Sequence, residues 1–326
     1  MTKLMLHRAG SIIMRIRPLA LLLVLPICSE AIETSITVVP TWTVGEQIEY
    51  ELVTSKSNTH QGTTSIGAAE KSRAFIRVLS STRDRSVHEW RYEIDTINGQ
   101  TPAKGPTEKL TQLLHSTRLR LQLDEEANIL GIENAAEARA TFELTIKTLI
   151  DSLPPQAVDN EGKQQILQGM QSLISDDRKL QHLATKEAQL IYSPVGGPYT
   201  LASSRQLKGS SITPFSSEPI STDNEITVSP FNESNGTFSI TYTELPDSEG
   251  ATRFVEQIIA QLAKATGTRT PETSDLKLQL RRVTVHVMSR DSSWPLSVQW
   301  IQTVSAGPAT KEERIELTRK SLVRQQ

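Results

Sequence analysis

The chain has 326 residues, of which 37% are hydrophobic and 5% aromatic, and its 35 basic residues nearly balance its 37 acidic ones. The charges are interspersed, and this argues against nucleic-acid binding through a phosphate-neutralising basic patch. The length suffices for one large or two ordinary domains, with a core that needs no covalent cross-links.

The segment 1–31 has the features of a signal peptide. A basic stretch precedes an apolar run of about ten residues at 18–27, which is too short for the ~20 residues that cross a bilayer. Ser29 and Ala31 place small residues at positions −3 and −1, so we expect cleavage after Ala31. The alternatives are an uncleaved anchor and lipid attachment at Cys28.

Cysteine use agrees with export. Cys28 is the only cysteine of the chain, so cleavage after Ala31 leaves no disulfide, no thiolate metal site and no cysteine nucleophile. An exported protein of this size without disulfides is most easily a bacterial periplasmic one. The later sequence has no apolar segment of transmembrane length, so we expect a soluble mature chain in the periplasm or secreted from the cell.

The first part of the mature chain predicts β-structure. After an extended leader in which Trp42 is the expected anchor, alternating apolar and polar residues predict strands at 47–52, 72–81 and 89–94. The Ser/Thr-rich stretch 55–67 predicts a loop or a weak edge hairpin.

The segment 119–153 predicts a strand, a turn, a second strand and a helix. Leucines alternate with polar residues in the first strand, and Asn128, which tolerates positive φ, fits the turn. Asn134 lies three residues before Glu137, which is a capping-box pattern. The helix must end before the two prolines that follow residue 153.

Further helices are predicted after Asp159 and from Asp176, and they should pack on one another or over a sheet. The serine-rich stretch 200–224 is the best candidate for a boundary between two halves, although short edge strands fit it too. The remaining predicted elements are short or amphipathic helices at 106–115 and 248–267 and strands at 225–228, 237–243, 276–287, 296–300 and 312–322.

A change of side-chain parity predicts a β-bulge in the strand 276–287. Its apolar residues occupy even positions up to 280 and odd positions from 283, and the change falls at Arg281 and Arg282. This pattern places His286 on the polar side of the strand.

The sequence contains no catalytic, cofactor-binding or metal-binding motif that we recognise. It lacks a nucleophile elbow, a phosphate-binding glycine loop and a dinucleotide fingerprint, and the histidines of the mature chain are isolated. We therefore assign no catalytic residue, metal ligand or cofactor. Three aromatic residues on predicted strands, Trp90, Tyr92 and Trp300, are candidates for lining an apolar ligand cavity, with ordinary core packing as the alternative.

Several short motifs resemble those of uncharacterised exported bacterial proteins. They are Trp-x-x-Gly-x-x-x-x-Tyr at 42–50, Trp-Arg-Tyr at 90–92, Leu-x-x-Asp followed by Ile-x-x-Ile-x-Asn at 121–134, and Ser-x-Trp-Pro at 292–295. The resemblance implies export and a β-rich fold. It implies no activity and no catalytic residues.

Together these patterns predict an α+β fold, with curved antiparallel β-sheets in two halves and a helical insertion between them. The halves are 32–199 and 200–326, unless they form one continuous domain. The expected function is that of a non-catalytic periplasmic protein that binds an apolar ligand or an envelope protein. One form is a half-barrel that holds an apolar ligand, such as an acyl chain, beneath a helical lid. The alternatives are a periplasmic hydrolase whose site assembles only in the fold, and a structural or interaction module.

Overall fold

The computed structural model describes residues 35–67, 69–97, 99–100, 117–152, 160–211, 220–252, 256 and 278–324. The predicted signal peptide, the predicted helix at 106–115 and most of the predicted helix at 248–267 lie outside these residues; within the last of them, residues 248–252 are helical.

Antiparallel strands dominate the described chain, and helices are inserted between β7 and β8. The strands are β1 (Ser35–Thr37), β2 (Gln47–His60), β3 (Thr63–Ile66), β4 (Glu70–Ser81), β5 (Arg85–Ile97), β6 (Arg118–Asp124), β7 (Ile129–Ile132), β8 (Pro198–Thr200), β9 (Ser203–Ser211), β10 (Ile220–Val228), β11 (Thr237–Pro246), β12 (Leu278–Ser289), β13 (Ser292–Ala306) and β14 (Ala309–Val323). The helices are α1 (Ala135–Ser152), α2 (Asn160–Ile174), α3 (Asp177–Ala184) and α4 (Lys186–Tyr192).

Twelve strands form one antiparallel sheet that is not closed, and β1 pairs separately with β8. Across the large sheet the order is β9-β10-β11-β12-β13-β14-β2-β4-β5-β6-β7, with β3 paired to the far end of β2. Strand β2 therefore pairs with the last strand, β14, so one sheet includes strands from both halves of the chain. The α+β class with antiparallel sheet is confirmed, whereas curvature in two halves stays a prediction.

One face of the sheet is apolar and covered. In β2, Ile48, Tyr50 and Leu52 are buried at alternate positions, as the period of two requires. Equivalent buried positions continue on the neighbouring strands at Ala74, Ile76, Val78, Trp90, Leu119, Leu121, Leu123, Phe238, Ile240, Met288, Val298, Trp300, Ile315 and Leu317. The predicted loop or hairpin at 55–67 is a hairpin, made by the end of β2 and β3.

Helices α1, α2 and α3 pack mainly on one another. Ile146 and Ile150 of α1 form a small core with Ile174 of α2 and Leu180 of α3. Helix α4 instead lies on the sheet, where Ala188, Ile191 and Tyr192 join the main core. The single helix predicted from Asp176 is in fact two, because the helical conformation is interrupted at Thr185. None of the described helices has the length and hydropathy of a membrane span.

The predicted strand, turn, strand and helix at 119–153 is confirmed, but two of its details are wrong. Ala127, not Asn128, has the positive φ of 67°. The Asn128 side chain instead donates a hydrogen bond to the carboxylate of Asp124 at 2.9 Å, and this contact between side chains stabilises the turn. Asn134 precedes α1, yet its side chain bonds the backbone of the neighbouring strand β6 and the carboxylate of Glu137 rather than capping the helix amides.

The β-bulge predicted at Arg281 and Arg282 is wrong. Both residues pair in register with β13, and the irregularity of this strand lies between Val287 and Ser289. Strand β12 is therefore straight through 278–287 and carries apolar residues on both faces. The side that seemed polar is the covered one, and His286 is fully buried on it because helix α4 supplies a carbonyl acceptor.

Candidate functional site

The segment between β1 and β2 runs over one end of the covered face. Backbone hydrogen bonds join Val38 to Gly196 and Gly197, at 2.7 and 3.2 Å, and Gly45 to Val78 at 2.9 Å. The segment is thereby fixed at both ends. Trp42, between these anchors, turns its indole into the core and is only 7% exposed, which confirms its predicted role as the anchor of the leader.

Trp42 belongs to a cluster of aromatic rings from four distant parts of the chain. Its ring centroid lies 4.4 Å from that of His88, and 5.6 Å from those of Tyr192 and Trp294. Trp90 contacts Tyr192 edge-on at 5.9 Å. The edge-to-face and tilted geometries are those that aromatic quadrupoles favour. We call these five residues the aromatic cluster.

The hydroxyl of Tyr192 organises the polar atoms of the aromatic cluster. It accepts a hydrogen bond from Trp90 Nε1 at 2.9 Å and lies 2.6 Å from His88 Nδ1. Burial lowers the pKa of His88 from its ordinary value of 6.5 to about 3, so the imidazole is neutral near pH 7. Among the described residues, the hydroxyl proton of Tyr192 has an acceptor only if His88 Nδ1 is unprotonated, and we therefore assign the ring proton to Nε2.

Several buried donors in this region have no acceptor among the described residues. They are Trp42 Nε1, Trp294 Nε1, the Nε2–H of His88 and the hydroxyl of Ser86. Two of these four groups are indole N–H groups, which donate and cannot accept, so neither can accept a hydrogen bond from the others. A buried donor without a partner costs roughly 1–3 kcal/mol, and such groups commonly mark a place where a ligand or solvent supplies the acceptor.

Two of these residues line an open pocket of about 420 Å³ at the end of the sheet. We call it the Trp42 pocket; its walls are Val39, Pro40 and Trp42 from the leader, Ser81–Arg83, Arg85 and Ser86 from the β4–β5 hairpin, and Asp124–Glu126 from the β6–β7 turn. Three separate loops meet there, and its volume falls within the range of small-molecule sites.

The charges around the Trp42 pocket are unevenly satisfied. Arg83 and Arg85 have exposed side chains that make no ion pair with any residue the structure describes. Asp124 is the cross-strand partner of Arg85, and its Oδ1 accepts hydrogen bonds from the backbone amides of Glu126 and Asn128, at 3.0 and 2.8 Å, so it stabilises its own turn. The two arginines of the pocket therefore lie beside an acidic turn without forming an ion pair with it.

The three aromatic residues predicted to line a ligand cavity lie along the covered face. Trp90 is fully buried and bonded to Tyr192. Tyr92 lies near the Glu187 carboxylate, at 3.5 Å, and Trp300 lies under the ammonium group of Lys186, 3.9 Å from the ring centroid. The first two residues of α4 thus sit between Tyr92 and Trp300. That these rings line a ligand cavity stays a prediction.

A hydroxyl–imidazole pair also occurs on the covered face, but its geometry does not activate a nucleophile. Ser193 Oγ lies 3.1 Å from His286 Nε2, which lies 2.7 Å from the carbonyl of Leu190. The proton on Nε2 is therefore donated to that carbonyl, and the nitrogen cannot accept the serine proton. Burial also lowers the pKa of His286 to about 4, and the described residues place no carboxylate against it.

Within the described ranges, no three His, Cys, Asp or Glu side chains come together in a way that could hold a metal ion. The site residues that sequence reasoning missed are Ser86, Arg83 and Arg85, which lie between two predicted strands, and Tyr192 and Trp294. Their convergence depends on loops that are distant in sequence, and nothing in the local pattern marks it.

Comparison with known proteins assigns the chain to no family. No family model matches the chain, and no curated protein matches it. Among solved structures, the chain is similar to one described as "lipid-protein interactions in lipovitellin", at 12% identity and a TM-score of 0.38 over 87% of this chain. The match covers 26% of that chain, so this protein spans about a quarter of its length.

Proposed function

We propose that this protein is an exported, non-catalytic binding protein that holds a small organic ligand with an apolar body in the Trp42 pocket. Export to the periplasm, expected from the segment 1–31, is part of the proposal. The proposal rests on one observation: two residues that line an open pocket, Trp42 and Ser86, have buried donors, Nε1 and Oγ, without an acceptor among the described residues. A core built only for stability leaves few such groups unsatisfied.

The pocket walls suit a ligand that is apolar over part of its surface. Val39, Pro40 and Trp42 form one wall, and aromatic side chains provide large, rigid contact area at low entropic cost. The proposed position of the ligand differs from the half-barrel expected from the sequence: the ligand binds at the end of the sheet, where the leader crosses it, and not beneath the helices α1 to α3.

The proposal is tested by filling the pocket. Val39 lines it and is 56% exposed, whereas Val44, on the same segment and 53% exposed, does not line it. The full chain is expressed with its leader in a bacterial host and recovered from the periplasm. Native mass spectrometry and solvent extraction then report any bound organic molecule. We expect such a molecule in the wild type and in Val44→Trp, and its loss in Val39→Trp.

Equal retention in both variants would place the ligand elsewhere. If the wild-type protein carries no organic molecule and binds none from a panel of small aliphatic and aromatic compounds, the binding function itself is refuted.

A further inference from the structure

We propose that the ligand of the Trp42 pocket carries a single carboxylate, held by Ser86 and Trp42 and approached by Arg83 and Arg85. This inference rests on the proposed binding function and assigns the chemical class of the ligand. It follows from which hydrogen-bonding groups of the pocket are free, which are occupied, and what charges surround them.

Two residues that line the pocket have buried donor groups without a partner. Ser86 is 3% exposed and Trp42 7%, and their Oγ and Nε1 atoms have no partner among the described residues. The indole N–H is a donor only, and a ligand that brings acceptors satisfies both groups. An anionic oxygen forms the stronger hydrogen bonds, which are about twice as strong as those to a neutral acceptor.

The exposed arginines of the pocket agree with an anion. Arg83 and Arg85 line the pocket without an ion pair to any described residue, and a guanidinium matches a carboxylate in shape and hydrogen-bond geometry. Neither guanidinium is engaged in an ion pair with a described carboxylate, so both are available to a bound anion, and they offset part of the negative charge of the acidic turn on the same pocket.

The acidic turn of the pocket limits the charge of the ligand to one. Glu125 and Glu126 stand on the same pocket, and neither makes an ion pair within the described part of the chain. A dianion such as a phosphate monoester would be repelled by this turn, whereas a monocarboxylate brings one negative charge toward the arginines. The apolar wall formed by Val39 and Pro40 then contacts the rest of an aliphatic or aromatic acid.

The test compares octanoate, octanamide and octyl phosphate, together with 3-phenylpropanoate, by calorimetric titration of the mature protein. We expect the monocarboxylates to bind at least about tenfold more tightly than the neutral amide, which corresponds to one hydrogen bond to a charged group. Octyl phosphate should bind more weakly than octanoate. Higher salt should reduce the preference for the acid over the amide.

Variants show where the preference arises. Ser86→Ala removes a buried hydroxyl that has no partner in the described fold, so the free protein should be at least as stable as the wild type while octanoate affinity falls by about tenfold. Arg83→Gln and Arg85→Gln should each weaken octanoate several-fold and leave octanamide unchanged. Arg77→Gln is the matched control, because Arg77 lies on the neighbouring strand and lines a different groove.

Equal affinity for octanoate and octanamide, or unchanged octanoate affinity in Ser86→Ala, would overturn the assignment of a carboxylate while leaving the binding function intact. Tighter binding of octyl phosphate would overturn the limit of one charge. Absence of binding by both monocarboxylates at millimolar concentration, with a neutral compound still bound, would also refute the inference. Absence of binding by every compound, with no molecule retained from the periplasm, would refute the proposed function as well.

Discussion

Replacing Tyr192 by phenylalanine removes one oxygen atom from the middle of the aromatic cluster. That hydroxyl is bonded to both Trp90 Nε1 and His88 Nδ1, at 2.9 and 2.6 Å, and all three side chains are buried. The variant leaves two buried polar atoms without partners. At roughly 1–3 kcal/mol for each, the expected loss of unfolding free energy is about 3 kcal/mol.

Tyr50→Phe is the matched control. Tyr50 is also fully buried in the same core, but its hydroxyl makes one hydrogen bond, to the carbonyl of Pro295 at 2.8 Å. The same atom is deleted, and only one partner is left unsatisfied, so a loss of about 1–1.5 kcal/mol is expected.

Urea unfolding followed by circular dichroism measures both losses, with an unchanged slope against denaturant as the check that only stability has altered. Tyr192→Phe should be the less stable variant by about 2 kcal/mol, which corresponds to a thermal midpoint lower by roughly 4–8 °C. If Tyr192→Phe loses no more stability than Tyr50→Phe, the hydroxyl is not the centre of a hydrogen-bond network and the protonation assigned to His88 fails with it.

Burial lowers the pKa of His88 to about 3 and of His286 to about 4, so both rings stay neutral in the fold and take up protons only when it opens. The contribution of the two neutral rings to the free energy of unfolding should therefore be fully present above about pH 6.5. Below that pH it should fall by up to about 1.4 kcal/mol per pH unit for each histidine. Urea titrations between pH 7.5 and 4.5 measure this loss, and a flat profile would contradict the burial of both rings. Burial raises the pKa of Glu187, so Glu187→Gln should stabilise the protein at pH 7.5. The gain should be smaller at pH 5, where the wild-type carboxyl is closer to its protonated form. A loss of stability at pH 7.5 would show that the charge is needed. Gly196 has φ 89°, and a Cβ there would lie 2.6 Å from the Glu126 carbonyl oxygen, so Gly196→Ala should lower the free energy of unfolding by about 2 kcal/mol or more. Gly236 has φ 66° and open space around it, so Gly236→Ala should lower it by about 1 kcal/mol. Equal losses in the two variants would refute the close approach at Gly196.

Local patterns predicted most of the elements because side-chain alternation in strands and capping of helices depend on residues that are close in sequence. Alternation over 47–52 and 89–94 predicts strands whose faces differ in solvent exposure. Both segments are strands, with Ile48, Tyr50 and Leu52 buried in the first and Trp90 in the second. The helix predicted from Asp176 does begin there: the Asp176 carboxylate accepts hydrogen bonds from the amides of Arg178 and Lys179 at 2.9 and 3.0 Å, which lowers its pKa.

The wrong predictions arose where a distant segment decides the outcome. His286 seemed to face solvent because its neighbours on the strand are polar, yet α4 covers it and supplies the Leu190 carbonyl. Asn134 fits a capping box, but the backbone of β6 lies closer to its amide and takes it instead. In both positions a tertiary partner outweighs the local preference.

The candidate site was the least predictable part of the molecule. Trp42 was expected to anchor the leader, and it does so, but the sequence gives no sign that Ser86 and the acidic turn at 124–126 meet it. These residues share no motif or spacing. Their proximity is set by the order of the strands, which short-range patterns do not specify.

The pairing of β2 with β14 has a consequence for how the protein reaches its folded state. These strands are far apart in sequence, with Gln47 opposite Val323, so the sheet becomes continuous only after the segment 309–323 has joined it. Contacts of such sequence separation form slowly, because the loop must close before the pairing stabilises it. A chain that crosses a membrane N-terminus first, on the route we propose, would thus remain incompletely folded during passage. Any truncation that removes 309–323 would leave the edge of β2 open to pairing with other chains.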